Sequence, residues 1–165
     1  MLTARRGLAT AIDYAALAAP LALLAGLTVA RRRRNPAPVG PPPSPAKVRL
    51  LIAAGLTIPL SGLLAAAEAT GGSPGKRALG LTLSDDKTAE RPTFPQALTR
   101  SLLKTALPWE LGHQAVWEFR ADNTSRGAVL ATGAYAALGW QAWSIARGGG
   151  RTYPDRVAGT RVTQD

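Results

Sequence analysis

Cysteine is absent from this 165-residue chain, so a disulfide framework, a thiolate metal site and thiol catalysis are excluded. Histidine occurs once, at His113, which removes multi-histidine metal centres and most hydrolase triads. Charge is also scarce: 18% of residues are charged, against roughly 25% in an ordinary soluble domain. The scarcity is uneven. Apolar residues, 46% of the chain, collect in three long, nearly charge-free runs, and the charges crowd between them. Such a pattern describes a small membrane protein of a single domain better than a soluble fold with a polar exterior.

The first run, 8–30, contains one charge, Asp13. At 1.5 Å per helical residue it covers about 34 Å, enough for a hydrocarbon core of about 30 Å with some tilt. A signal peptide has a shorter apolar region and no internal acid, so an uncleaved span is expected. The second run, 50–67, is uncharged, with Pro59 inside it predicting a kink. The third, 127–146, is also uncharged and carries Trp140 and Trp143 near its end, as an interfacial belt would. Between them, 97–117 repeats an apolar residue every fourth position at Leu103, Leu107, Leu111 and Ala115, interrupted by Lys104, Glu110 and His113. It reads either as an amphipathic interfacial helix, broken at Pro108, or as a polar-lined fourth span. The expected fold class is therefore all-α: a polytopic transmembrane helical protein with three clear spans and one amphipathic or polar fourth helix.

The connections are basic. Arg31 to Arg34 open a proline-rich linker over 31–49, and the formal charge of the whole chain is +10. No aromatic platform accompanies these arginines, so the expected partner is the anionic headgroup surface of a bilayer and not nucleic acid. Four spans with both termini inside place twelve of the twenty basic residues on the cytoplasmic side, whereas three spans divide them evenly. The arginine run, left outside by the four-span arrangement, pulls the other way. After the second run, Gly71 to Arg77 ends in Gly75-Lys76-Arg77 and lacks the Ser or Thr of a phosphate loop, so a tight turn is expected. Leu79, Leu81 and Leu83 alternate with small or polar residues and predict a short strand ended by Asp85-Asp86. The remainder, 147–165, reads as a polar tail.

Asp13 is the most informative residue, because a carboxylate in a membrane helix is costly and needs a partner. Arg6 lies seven positions earlier on the same face. Asp13 either binds an ion or proton, or pairs with an arginine to fix the helices. Glu110 and His113 have the spacing of half a carboxylate-bridged metal site, but the chain holds no second histidine. Asp155 and Arg156 lie in the tail and read as residues that pair with surface charges. No catalytic constellation, cofactor site or metal site is expected, nor is enzymatic activity.

Taken in order, four segments resemble the RDD family of bacterial membrane proteins, named for one arginine and two aspartates. They are Arg6-Gly7-Leu8-Ala9-Thr10-Ala11-Ile12-Asp13, the GGSPGKRALGL segment over 71–81, FPQALTRSLLK over 94–104, and TYPDRVAGTRV over 152–162. The resemblance covers most of residues 1–165 as one domain and makes Arg6, Asp13 and Asp155 the site residues; Lys76, Arg100, Arg156, Glu110 and His113 are secondary candidates. It implies a multi-pass protein of the bacterial inner membrane, with transport or binding of an ion or small polar solute at the arginine and aspartate cluster. A homo-oligomer or a partner in a membrane complex would complete a path. The alternative is a non-transporting assembly or scaffold subunit.

Overall fold

The computed structural model describes residues 2–35, 44–147 and 151–164. The proline-rich centre of the linker and the three glycines at 148–150 lie outside the described residues. Helix α1 runs Leu2–Arg34 and contains the first apolar run. Helix α2, Pro45–Thr70, starts at a Ser44 cap whose hydroxyl accepts from the Lys47 N–H. A short helix α3, Pro74–Ala78, leads into strand β1, Leu81–Asp85. Helix α4, residues 94–120, opens with a capping box between Thr93 and Gln96. Then come α5, Thr124–Arg147, the short α6, Tyr153–Val157, and strand β2, Thr160–Gln164.

Neither Pro59 nor Pro108 ends its helix. In α2 a π-helical turn, Ala53–Thr57, precedes Pro59, and in α4 another, Leu102–Ala106, precedes Pro108. A proline has no N–H for the carbonyl one turn back, and its ring crowds that carbonyl. The wider turn absorbs both problems, so the expected break at Pro108 does not occur. The carbonyls released in α4 are used elsewhere. Gln141 of α5 donates to the Lys104 carbonyl at 3.1 Å, and the Tyr153 hydroxyl donates to the Leu103 carbonyl at 2.8 Å.

The chain is mostly helical but not all-α. Strands β1 and β2 form an antiparallel pair, Leu81 opposite Gln164 and Asp85 opposite Thr160. The strand expected near Leu81 is present. Its partner lies in the segment read as a polar tail, where only Val162 supplies a core side chain. Leu81, Leu83 and Val162 bury one face of the pair against Ala9 of α1.

Long helices return against one another. The second half of α2 packs on the start of α4, and the second half of α4 packs on α5. At the latter turn Gly127 lies so close to the Phe119 ring that a Cβ would stand 2.7 Å from it. At that end of the molecule Glu118 pairs with Arg49 at 2.9 Å. The charges at the opposite end gather into the site described below.

Burial is inverted relative to a soluble domain. Arg6, Asp13, Glu68, Lys76, Arg100 and Asp155 are buried, while Leu23, Leu50, Leu63, Val129, Tyr135 and Trp140 are exposed. Water penalises this arrangement on both counts, and a hydrocarbon surround favours it. Helix α2 alone, among the described residues, is both long and apolar enough to cross a membrane, with a mean hydropathy of 2.0 over its best 18 residues. Helices α1 and α5 have the length, at 33 and 24 residues. The Gly, Thr, Gln and Ser content of α5 dilutes its apolarity. Three clear spans are thus not what the helices by themselves establish.

Candidate functional site

One end of the bundle holds a continuous network of buried charge. Its centre is Asp155, fully buried at the start of α6. Thr152 caps this helix: its hydroxyl accepts from the Asp155 N–H, and its own N–H donates to Asp155 Oδ2 at 2.9 Å. Those local bonds aim the carboxylate between two guanidinium groups. Arg6 of α1 donates from Nη2 to Oδ2 at 2.5 Å, and Arg100 of α4 donates from Nε to Oδ1 at 2.6 Å. Burial alone would raise the Asp155 carboxyl, but the charges of Arg100 and Arg6 outweigh it and hold the group well below the usual carboxylate range.

Arg100 extends the network in the other direction. Its Nη1 donates to both oxygens of Glu68, at 2.7 and 2.9 Å, at the end of α2. Lys76 of α3 also donates to Glu68, and to Ser73 Oγ at 3.1 Å. Burial and the Arg100 charge push the Lys76 ammonium below its ordinary value, against the pull of Glu68. Ser73 passes a hydrogen bond to Asp13 Oδ2 at 2.7 Å, and the Gly75 N–H donates to Asp13 Oδ1 at 2.7 Å. The side chains join α1, α2, α3, α4 and α6 in one chain of ion pairs and hydrogen bonds.

Asp13 therefore does not pair with an arginine, as one of the two sequence readings held. Two helical turns separate it from Arg6, about 10.5 Å along α1, and each finds a different partner. Asp13 is answered by the first turn of α3, and Gly75 makes this approach feasible. A Cβ on Gly75 would lie 2.0 Å from the Ala9 carbonyl oxygen.

The structure brings Arg6, Asp13, Asp155, Lys76 and Arg100 together and leaves three of the secondary residues apart. Arg156 is exposed on the far side of α6, so the surface pairing read for Asp155 fails with Asp155 buried. Glu110 accepts a hydrogen bond from Thr57. His113 accepts from the Trp117 indole at 3.0 Å and stacks on Trp109. Two members of the network were not singled out by the sequence. Glu68 stands one residue beyond the second apolar run, where it reads as an ordinary boundary charge. Lys104 reads as an interruption of an apolar stripe, yet its Nζ turns to Thr10 Oγ1 at 3.0 Å, beside the network.

Of the two larger cavities, one adjoins the network and the other lies apart from it. The smaller, about 220 Å³, is lined by Arg6, Lys76, Arg100 and Lys104 together with Thr10 and Gln141. The larger, about 680 Å³, is apolar and lies between α1, α2 and α4, with Tyr14, Leu60, Trp109 and Val116 in its walls.

The buried charges fall within the stretch matched by a known family. The family model described as RDD family matches residues 2–159, a stretch that includes Arg6, Asp13, Glu68, Lys76, Arg100, Lys104 and Asp155. No curated protein and no solved structure matches the chain. With nearly its whole length covered, the chain belongs to the RDD family, a family of membrane proteins.

Proposed function

We propose that the chain is a multi-pass protein of the bacterial inner membrane that binds, and in an oligomer conducts, an ion or small polar solute at the buried charge network. The observation that carries this reading is the 220 Å³ cavity at the network, whose walls include four cationic side chains. In this reading α1, α2, α4 and α5 cross the bilayer, and the network lies at its cytoplasmic face, where basic residues are favoured. Arg6, Asp13 and Asp155 then hold the walls in register, and Arg100 and Lys76 connect them. Anionic headgroups surround the basic ends of the helices.

A second reading, a non-transporting assembly subunit, is favoured by a specific feature: both oxygens of Asp13 and both of Asp155 are engaged by donors from the protein. Carboxylates so occupied fasten helices without needing a ligand. Asp13→Asn separates the readings, since an amide keeps the shape and one acceptor. In proteoliposomes loaded with sodium, potassium or phosphate, the solute-binding reading expects normal protein abundance and an altered flux of one of them. Loss of protein or of a co-purifying partner, with no flux in the parent, supports the assembly reading and overturns the first.

A further inference from the structure

The charges of the network do not balance. Arg6, Lys76, Arg100 and Lys104 face Asp13, Glu68 and Asp155, which leaves one positive charge in excess. Lys104 accounts for it: its ammonium donates to the Thr10 hydroxyl, and no carboxylate lies within 4.0 Å among the described residues. Nor are the donors used up. Arg6 is only 6% exposed, and its Nη1 is buried without a hydrogen-bond partner. An unmatched donor and an unmatched charge in a low-dielectric setting each cost free energy until an anion answers them. Arg6 and Lys104 are both among the residues that line the 220 Å³ cavity, and no carboxylate residue is.

We infer that this cavity binds a phosphate group with a single net negative charge, held chiefly by Lys104 with the Arg6 guanidinium beside it. The inference rests on the reading that the network holds a small polar solute, and names its class. A guanidinium edge beside an ammonium offers several directed donors, which tetrahedral phosphate oxygens accept better than a spherical halide does. The cavity has the volume of several water molecules, too roomy for a halide and sufficient for a phosphate with a small substituent. One net charge neutralises the excess, whereas a cation would add to it. A free phosphate and the phosphodiester of an anionic lipid share this chemistry, and the cavity's place beside the ends of α1 and α5 admits either.

The test uses the purified full chain, delipidated in neutral detergent. Thermal stability and affinity are measured with sodium phosphate and with sodium chloride at equal ionic strength. The same is done with phosphatidylglycerol against phosphatidylcholine in mixed micelles. Phosphate or phosphatidylglycerol is expected to raise the melting temperature where its control does not. A response to phosphate assigns a free solute, and a response to phosphatidylglycerol alone assigns a lipid headgroup. Lys104→Met keeps the stem and removes the charge. It is expected to weaken binding at least about tenfold while leaving the ligand-free melting temperature equal or higher, because the uncompensated charge is gone. Lys104→Arg is expected to restore binding. Equal affinity in Lys104→Met and the parent overturns the inference, as does a response to sodium or potassium ions with none to either phosphate probe. In the last case the ion-binding reading survives. If no probe binds, both fall.

Discussion

Asp155→Asn is expected to destabilise the folded chain by about 3–5 kcal/mol. The amide is nearly isosteric, so the effect is electrostatic. It removes the one negative charge shared by Arg6 and Arg100 while both guanidinium groups remain buried. Thermal unfolding in detergent would show the loss, and a change below about 1 kcal/mol would mean that water or lipid already reaches these arginines. The same pairing sets a pH dependence. The Asp155 carboxyl is depressed in the folded protein, so its contribution is complete above the unfolded value of about 3.9 and is lost as pH falls through the lower folded value. Acid sensitivity below about pH 4 is therefore expected in the parent and is blunted in Asp155→Asn.

Gly75→Ala is expected to cost about 2–5 kcal/mol by a different route. The added methyl has no room, standing 2.0 Å from the Ala9 carbonyl oxygen and 2.8 Å from its carbon. Both are backbone atoms and cannot turn aside, so α3 must move away from α1, with an overpacking cost of about 1–3 kcal/mol. That displacement also stretches the bond from the Gly75 N–H to Asp13, and a hydrogen bond to a charged group is worth about 1.5–3 kcal/mol. The check is the melting temperature of Gly75→Ala beside that of Gly72→Ala, at a nearby glycine where the added Cβ meets nothing closer than 3.6 Å. Gly72 has a positive φ, so its substitution carries modest backbone strain of its own. Equal losses at the two positions would show that close approach at Gly75 contributes nothing special.

Much of this arrangement is legible in the sequence wherever a charge interrupts an apolar run. Asp13 is visible for that reason, and Arg6 by its place one face below. Strand β1 is legible because Leu81 and Leu83 alternate with polar residues. Its partner β2 is not, since Thr160–Gln164 offers one core side chain and the pairing is made across most of the chain's length. Glu68 and Lys104 are hidden by ambiguity: a charge at the end of a run, or within an amphipathic stripe, is ordinarily solvated. Their burial follows from neighbours on other helices, which local spacing does not encode. The break expected at Pro108 does not occur because a proline disrupts an α-helical turn but fits after a π-helical one. The division of partners between Asp13 and Asp155 depends on α3 and α6, five residues each, whose docking no periodicity announces.

In the proposed topology the charge network lies at one face of a membrane crossed by four helices. Because the chain has no cysteine, single cysteines report position without interference. Lys87→Cys and Thr163→Cys mark the network end and Ser125→Cys the opposite end, all at exposed residues. The most direct measurement is labelling of each by a membrane-impermeant thiol reagent in intact and permeabilised cells. The account predicts that position 125 labels in intact cells, and that 87 and 163 label only after permeabilisation. Labelling of 87 and 163 on different sides, or of 125 on the same side as both, would contradict it.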